Sequence, residues 1–322
     1  MGCGRSCRHR LRSCIRAAIP TRRPRCRVSV TTALVVEGGA MRGIFAAGVL
    51  DSFLDKDFCP FDLCIGVSAG ANNLAAFLAG MRGRNYSIYT DYSLRPEFIN
   101  TMRFLRGGHL MDLDWLWEIT IRELPLDTAH VDAAPQEYCV GVTRVRDGKV
   151  VYARPEGDNL AQILKASSAM PLVYRSVVKL PGVRIEDAGS TVLGDSETYV
   201  DGGLAEPIPV REALRRGART VVVIRSRPMS YTMDTGKKHR LMRFSLRRHP
   251  ALQQRLAERA ERYNQTLAYM RSPDRVAEGV QIIEVAPPES FESSRTTRDI
   301  DALNRDYERG LQAGIQAVQD WK

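Results

Sequence analysis

The sequence predicts an α/β protein in which helices cover both faces of a mostly parallel central sheet. Two observations support this fold class. Short apolar runs typical of buried strands alternate with segments of helical period along most of the chain. In addition, the first two strand-to-helix junctions both contain glycine-rich turns. With 322 residues, of which 44% are hydrophobic and 26% charged, the chain can build one large domain with a helical extension.

The N-terminal half contains two successive units of strand, turn and helix. Residues 28–36 are a β-rich run without turn residues, residues 37–43 form a glycine loop, and residues 44–53 have helical period. Residues 61–67 and 71–81 repeat the strand and the helix.

Later segments continue the alternation, with less regular stretches between them. Residues 82–132 are interpreted as helices and loops, whereas Asp147-Gly148 predicts the tight turn of a hairpin, since this dipeptide suits a positive φ. The remaining predicted strands are 138–145, 150–153, 197–200, 219–224 and 280–285, and the remaining predicted helices are 159–167, 251–270 and 300–318.

The formal net charge of +10 is unevenly distributed. Residues 1–30 contain nine arginines and no acidic residue, so the rest of the chain is almost neutral. This segment has features of an N-myristoylation site, of a transit peptide, of a polycation that binds nucleic acid or anionic lipid and, weakly, of a zinc site. We favour an unstructured tail, or a start placed upstream of the true one near residue 28 or 30.

Cysteine use and hydropathy predict a cytoplasmic protein that could contact a membrane peripherally. No apolar run of about 7–15 residues suggests a signal peptide, and none approaches the about 18 residues of a membrane-spanning helix. The seven cysteines are an odd number, which argues against a disulfide framework. We expect no cofactor and no metal. We also expect no specific nucleic-acid partner, because residues 1–30 lack aromatic residues among their arginines.

Residues Gly66 to Gly70 contain the Gly-x-Ser-x-Gly pattern between a predicted strand and a predicted helix. In such a nucleophile elbow the serine occupies a strained turn, and the flanking glycines lack the Cβ atoms that would clash. The following helix directs its N–H groups toward developing negative charge. Ser68 is therefore the candidate nucleophile, supported by Gly66 and Gly70. The alternative is a tight turn without a function.

A serine nucleophile needs a base, and Asp201 is the candidate. None of the five histidines lies in a recognisable loop at a strand end. Asp201 directly follows a predicted short strand and precedes Gly202 and Gly203, so its carboxylate could reach Ser68 without an intervening imidazole. The alternative is an ordinary Asp-Gly-Gly β-turn.

Gly38, Gly39 and Ala40, followed by Arg42 and Gly43, lie between the first strand and the first helix. Adjacent backbone N–H groups in such a loop can form an anion hole for a tetrahedral intermediate, or a phosphate-binding turn. The loop is not a dinucleotide fingerprint, because Ala40 replaces the middle glycine. It is not a P-loop either, because no Gly-Lys-Ser/Thr follows.

These three motifs, in this order, resemble those of the patatin-like phospholipases, a family of serine acyl hydrolases. The resemblance covers about residues 33–214 and includes residues 166–171, Ala-Ser-Ser-Ala-Met-Pro. It implies a three-layer α/β/α sandwich, a catalytic dyad of Ser68 and Asp201 without histidine, and an oxyanion hole at residues 38–40. Residues 215–322 are similar to the C-terminal extension of a bacterial branch of the family. We expect this basic, helical extension to pack on the catalytic domain.

Two residues depart from the family pattern. Glu37 stands where many members have aspartate, and Ala40 stands where a third glycine is usual. If position 40 requires a positive φ, alanine would strain it by about 1 kcal/mol and could weaken the oxyanion hole.

The resemblance predicts hydrolysis of carboxylic esters of phospholipids or lysophospholipids through an acyl-enzyme. Residues 211–275 carry a net charge of +12, and residues 237–248 interleave cations with apolar residues, as a helix that docks on an anionic membrane would. The alternative for this segment is a solvated basic helix. The alternatives for the function are a soluble esterase or thioesterase and a catalytically weak lipid-binding protein.

Overall fold

The computed structural model describes residues 30–171, 173–234 and 246–321. Within these ranges ten strands form one mixed sheet, in the order β10-β9-β1-β2-β3-β4-β6-β7, with β8 paired to β3 and β5. The strands are β1 (Thr32–Val36), β2 (Leu63–Val67), β3 (Glu137–Arg144), β4 (Val150–Ala153), β5 (Val178–Lys179), β6 (Arg184–Asp187), β7 (Ser190–Leu193), β8 (Thr198–Asp201), β9 (Thr220–Ile224) and β10 (Gln281–Val285). The α-helices are α1 (Gly43–Asp55), α2 (Ala69–Leu78), α3 (Arg84–Ser87), α4 (Thr101–Leu105), α5 (Leu113–Glu123), α6 (Thr128–Ala133), α7 (Leu160–Ser168), α8 (Val210–Arg215), α9 (Pro250–Arg271), α10 (Asp274–Ala277) and α11 (Ile300–Asp320).

Five adjacent strands, β10, β9, β1, β2 and β3, are parallel. Their carboxyl ends meet at one edge of the sheet, which is where open α/β sheets bind ligands. At this edge β1 leads into the glycine loop, β2 leads into Ser68, and β9 leads into Arg225. The parallel part of the sheet therefore brings together segments that are far apart in the sequence.

Helices cover both faces of this sheet, because successive side chains of a strand point to opposite sides. Leu34 and Val36 of β1 pack in the core under α1, α2, α7 and α11. Ala33 and Val35 pack in a second core under α8 and α9. The predicted three-layer α/β/α sandwich is confirmed.

The region after residue 214 forms part of the same sheet, since it supplies β9 and β10. Its last helix, α11, packs closely against α1. A Cβ atom at Gly310 would lie 2.2 Å from the carbonyl oxygen of Phe45, so only glycine allows this approach. The division into residues 33–214 and 215–322 remains a prediction from the sequence.

The hairpin β3–β4 was predicted, whereas β5, β6 and β7 were not. These three strands are short, and β7 is exposed along its whole length. Residues 1–29 and most of the predicted docking helix, residues 237–245, lie outside the described residues.

In the part of the chain that the structure describes, no helix combines the length and the hydrophobicity needed to cross a membrane.

Candidate active site

Ser68 lies between β2 and α2 in a strained backbone conformation, with φ of 54° and ψ of −127°. Such conformations cost on the order of 1–3 kcal/mol and persist only where the surrounding structure enforces them. Here the turn is packed too closely for side chains on either side of the serine. A Cβ atom at Gly66 would lie 2.5 Å from the Cα of Ala71, and one at Gly70 would lie 2.3 Å from the carbonyl oxygen of Val36.

Ser167, at the end of α7, holds the backbone of this elbow. Its buried hydroxyl accepts the N–H of Ser68 at 2.8 Å and donates to the carbonyl oxygen of Gly141 at 2.7 Å. The side-chain amide of Asn72 donates to the Ser68 carbonyl at 3.0 Å and to the Ser168 hydroxyl at 3.1 Å. The sequence drew attention to residues 166–171 but not to this role, because nothing local indicates the contact with Ser68.

The glycine loop lies directly against Ser68. A Cβ atom at Gly38 would be 2.9 Å from the Cβ of Ser68 and 2.8 Å from the carbonyl oxygen of Val67, so a side chain is excluded there. Among the described residues, the N–H groups of Gly38 and Gly39 find no protein acceptor. Free N–H donors beside a serine are what an oxyanion hole requires.

Ala40 has a φ of 50°, so position 40 does require the positive φ that strains an alanine. This strain costs about 1–2 kcal/mol relative to glycine. The glycines that precede and follow Ala40 in the motif, Gly39 and Gly43, are tightly packed. A Cβ atom at Gly39 would lie 2.9 Å from the hydroxyl of Ser226, and one at Gly43 would lie 2.1 Å from the hydroxyl of Tyr89. The loop therefore has little room for another conformation.

Glu37 anchors the glycine loop to the C-terminal region. Its buried carboxylate accepts the N–H of Ser226 at 2.7 Å and the hydroxyl of Tyr263 at 3.0 Å. The guanidinium of Arg225, which is fully buried, pairs with Glu37 at 3.4 Å and also with Glu284. In the sequence Glu37 is visible only as a departure from the family pattern, since its partners lie far away in the chain.

Arg42 is buried behind the loop. Its Nε donates to the carbonyl oxygen of Ser226 at 3.0 Å and its Nη2 to the Ser226 hydroxyl at 3.3 Å. Its Nη1 is buried without a hydrogen-bond partner among the described residues. Burial, together with the charges of Arg295 and Arg227, lowers the pKa of Arg42 to about 9.

Arg259 approaches the site from α9, and its Nε donates to the carbonyl oxygen of Gly203 at 2.6 Å. Burial and the charge of Arg295 lower its pKa to about 10. Neither Arg42 nor Arg259 forms an ion pair with a carboxylate in the described part of the chain. Arg42, Arg227, Arg259 and Arg295 are called the arginine cluster below, and they make this side of the site electropositive.

Asp201 ends β8 and is only 3% exposed. Its Oδ1 accepts the N–H of Gly203 at 2.7 Å. A Cβ atom at Gly202 would lie 2.2 Å from the carbonyl oxygen of Gly141, so this glycine lets the turn pack against β3. Burial raises the pKa of Asp201 to about 6. The N–H of Gly203, which donates to the carboxyl, and the nearby hydroxyl of Ser68 limit that rise. The structure thus brings Asp201 together with Ser68.

A cavity of about 110 Å³ opens at Ser68. Ala40 and Ser168 also contribute to its wall, so it begins beside the glycine loop. Much of its lining is apolar: Met41, Ile88, Phe98, Met111, Leu113, Leu116 and Trp117. An acyl chain attached to Ser68 would find apolar surface here.

The fold and the elbow define the class: an α/β protein with a Gly-x-Ser-x-Gly serine between a strand and a helix. Residues 34–214 match the model of a family described as patatin-like phospholipase. The chain therefore belongs to the patatin-like phospholipase family, and at the level of that family it is a lipid acyl hydrolase. Residues 249–322 match a second family, a domain of unknown function called DUF6363.

Two curated proteins resemble the chain in sequence. The uncharacterized protein YjjU of Escherichia coli K12 is 37% identical over 288 residues, which are 88% of this chain and 75% of YjjU. Lysophospholipase NTE1 of Candida glabrata is 27% identical over 201 residues, and this match spans 59% of the chain but only 10% of NTE1.

Two solved structures align with the chain at low similarity. VipD from Legionella pneumophila aligns with a TM-score of 0.38 and 13% identity, covering 91% of this chain and 67% of VipD. Human GIVD cytosolic phospholipase A2 aligns with a TM-score of 0.41 and 11% identity, covering 90% of this chain and 58% of the enzyme.

The raised pKa of Asp201 predicts that Asp201→Asn stabilises the fold at alkaline pH. An acid whose pKa is raised by folding stabilises the native state only while it is protonated. That contribution is complete below a pH of about 4 and is lost as the pH rises through about 6. At pH 8 the neutral asparagine should raise the free energy of unfolding by about 3 kcal/mol, because one pKa unit corresponds to about 1.4 kcal/mol.

Urea denaturation at pH 8 and pH 5 measures this difference, which should shrink at the lower pH. The exposed Asp158→Asn is a matched control, and we expect it to change the free energy of unfolding by no more than about 0.5 kcal/mol. Equal stability of Asp201→Asn and the wild type at pH 8 would show that Asp201 is not destabilised by burial.

Proposed function

We propose that this protein is a serine acyl hydrolase that cleaves carboxylic esters of phospholipids or lysophospholipids through a Ser68–Asp201 dyad. One observation carries the proposal: the strained Ser68 lies between the free N–H groups of Gly38 and Gly39 and a buried carboxyl group. An ester carbonyl carbon bound above Ser68 would have a nucleophile, an oxyanion hole and a base within reach.

The reaction proceeds through an acyl-enzyme. Ser68 Oγ attacks the carbonyl carbon while its proton passes to Asp201, and the N–H groups of residues 38–40 bind the oxyanion. The tetrahedral intermediate collapses with cleavage of the ester C–O bond, and Asp201 returns the proton to the leaving oxygen. Water then attacks the acyl carbon while Asp201 takes its proton. The bond between that carbon and Ser68 Oγ breaks, the free acid leaves, and Asp201 returns the proton to Ser68.

Asp201 is suited to this work by its surroundings. An aspartate of ordinary pKa near 3.9 is a poor base for a hydroxyl group. Burial raises the pKa of Asp201 to about 6, close to a physiological pH, so the carboxylate is both available and more basic. The charges of Arg259 and Arg295 keep the pKa from rising further.

The arginine cluster favours a substrate with a negative charge near the scissile ester. Its buried members form no ion pair among the described residues, although Glu37 and Asp201 lie near them, and Arg42 retains an unpaired donor. A phosphodiester headgroup would supply the missing charge, which favours phospholipids and lysophospholipids over neutral esters. One relative, NTE1, is a lysophospholipase by name. A soluble esterase or thioesterase would use the same dyad, and a weak lipid-binding protein would result if Ala40 impaired the oxyanion hole.

The second part of the proposal is that the protein is cytoplasmic and binds peripherally to an anionic membrane. A groove of about 620 Å³ is lined by Leu105, Arg175, Val177 and Arg248. Leu105 is 73% exposed, and Met102 of the same helix is 57% exposed. We call these five residues the docking surface. Exposed apolar side chains among cations are typical of proteins that bind at the surface of an anionic bilayer.

The docking surface adjoins the candidate active site. Pro171 lines the groove and Ser168, three residues earlier, lines the cavity that opens at Ser68. A lipid leaving the bilayer at this surface would therefore travel only a short way to the nucleophile.

Replacing Ser68 by alanine should abolish ester hydrolysis, because the Ser68 hydroxyl is the group that forms the acyl-enzyme. We expect a loss of at least about a thousandfold in kcat/KM and of labelling by a fluorophosphonate. The assay is a panel of phosphatidylglycerol, lysophospholipids, neutral esters and acyl thioesters, with products analysed by mass. Ser190→Ala, on the exposed strand β7, is the control. Turnover retained by Ser68→Ala would overturn the proposal, and a preference for thioesters would favour the alternative.

The docking surface predicts salt-sensitive binding to vesicles of phosphatidylglycerol. The double variant Leu105→Ser, Arg248→Glu should weaken that binding by about tenfold or more, because each basic residue contributes about 1 kcal/mol near an anionic bilayer. Co-sedimentation measures the binding, with phosphatidylcholine vesicles as the neutral reference. Lys56→Glu changes an exposed charge outside this surface and serves as the control. Unchanged binding of the double variant would exclude the docking surface.

A further inference from the structure

The cavity at Ser68 has a polar region as well as an apolar one. Asn73, Arg84, Asn85 and Thr120 all contribute to its lining, and all four are buried. Three of these groups have their hydrogen bonds within the fold. The amide of Asn73 donates to the Gly43 carbonyl, the amide of Asn85 to the Asn73 carbonyl, and the hydroxyl of Thr120 to the Leu116 carbonyl. Arg84 is the charged member of the set.

The guanidinium of Arg84 has fewer partners than it can bind. Arg84 is 8% exposed, and its Nε and Nη2 both donate to the same acceptor, the carbonyl oxygen of Leu124, at 3.2 and 3.1 Å. Within the described residues its Nη1 makes no hydrogen bond, and no carboxylate pairs with it. Burial lowers the pKa of Arg84 to about 10, so the side chain is still charged at neutral pH.

Arg84 lies well away from the nucleophile along the cavity. Ser68 precedes the first residue of α2, and Asn73 is five residues further along. At a rise of 1.5 Å per residue this is about 7.5 Å along the helix axis. The amide of Asn85, the residue after Arg84, contacts Asn73 at 3.3 Å. The wall of the cavity thus runs from the serine, past apolar side chains, to the guanidinium.

An aliphatic chain that filled this cavity would bury the guanidinium against hydrocarbon with the Leu124 carbonyl as a partner but no counter-ion among the described residues. A buried cation without a partner is costly, whereas a carboxylate placed against it forms a charge-assisted and often bidentate pair. Resting on the proposed function, we propose that the cavity selects acyl groups with a carboxylate at their far end, and that Arg84 recognises this carboxylate. The substrate class is then esters of dicarboxylic acids, such as lipids whose acyl chain ends in a carboxylate.

Binding to the Ser68→Ala protein tests this inference without requiring turnover. Calorimetry compares a series of unbranched dicarboxylates with the monocarboxylates of equal length. We expect one length of dicarboxylate to bind at least about tenfold more tightly than its monocarboxylate. Equal affinity for the dicarboxylate and the monocarboxylate at every length would overturn the inference, even if hydrolysis by the wild type is established.

Substitution of Arg84 identifies the group responsible. Arg84→Leu should abolish the preference for the dicarboxylate, whereas Arg84→Lys should retain part of it because the charge remains. Arg82→Leu removes an exposed arginine of the same segment, which pairs with Asp55, and should leave the preference intact. A preference that survives in folded Arg84→Leu protein would contradict the role of Arg84. If that variant does not fold, the Arg84→Lys variant and the ligand series on Ser68→Ala protein with Arg84 intact still decide.

Discussion

The buried carboxylate of Glu37 is the contact on which the candidate site depends most. Glu37 follows β1 as the first residue of the glycine loop. Its carboxylate binds the N–H of Ser226, the hydroxyl of Tyr263 and the guanidinium of Arg225. All three partners lie at least 188 residues from Glu37 in the sequence. Removing one partner of such a buried pair typically costs 3–5 kcal/mol, because the other charge stays buried. The position of the loop therefore depends on the C-terminal region, which also completes the sheet.

The site combines several local costs that the rest of the fold must offset. Ser68 and Ala40 both have positive φ, Asp201 is a buried carboxyl group, and the arginine cluster holds like charges close together. Each of these features costs folding free energy, and such costs typically cluster at functional sites. Glycines at the elbow and in the loop make this arrangement possible, because a Cβ atom at these positions would clash with neighbouring atoms.

The sequence predicted the parts of the structure that have a local pattern. The parallel strands are apolar runs, and Ser68 and the glycine loop each follow one of them in a short motif, so their places at one sheet edge could be anticipated. Asp201 ends β8, which runs antiparallel to β3, so its motif indicated the residue but not its place beside Ser68. The strands β5 to β7 could not be anticipated, because segments of two to four residues are too short to show an apolar alternation. The contacts of Glu37 with Tyr263 and of Arg84 with Leu124 join distant segments, and no local pattern indicates them.

The central claim is that the glycine loop, held by Glu37, presents its N–H groups to an oxyanion formed on Ser68. A crystal structure of the protein inactivated by a lipid phosphonate tests this most directly, since the phosphonyl oxygen mimics the oxyanion. We predict phosphorus bonded to Ser68 Oγ and the phosphonyl oxygen about 2.7–3.1 Å from the backbone nitrogens of Gly38 and Gly39. An adduct on another residue, or a phosphonyl oxygen directed away from the loop, would contradict the account.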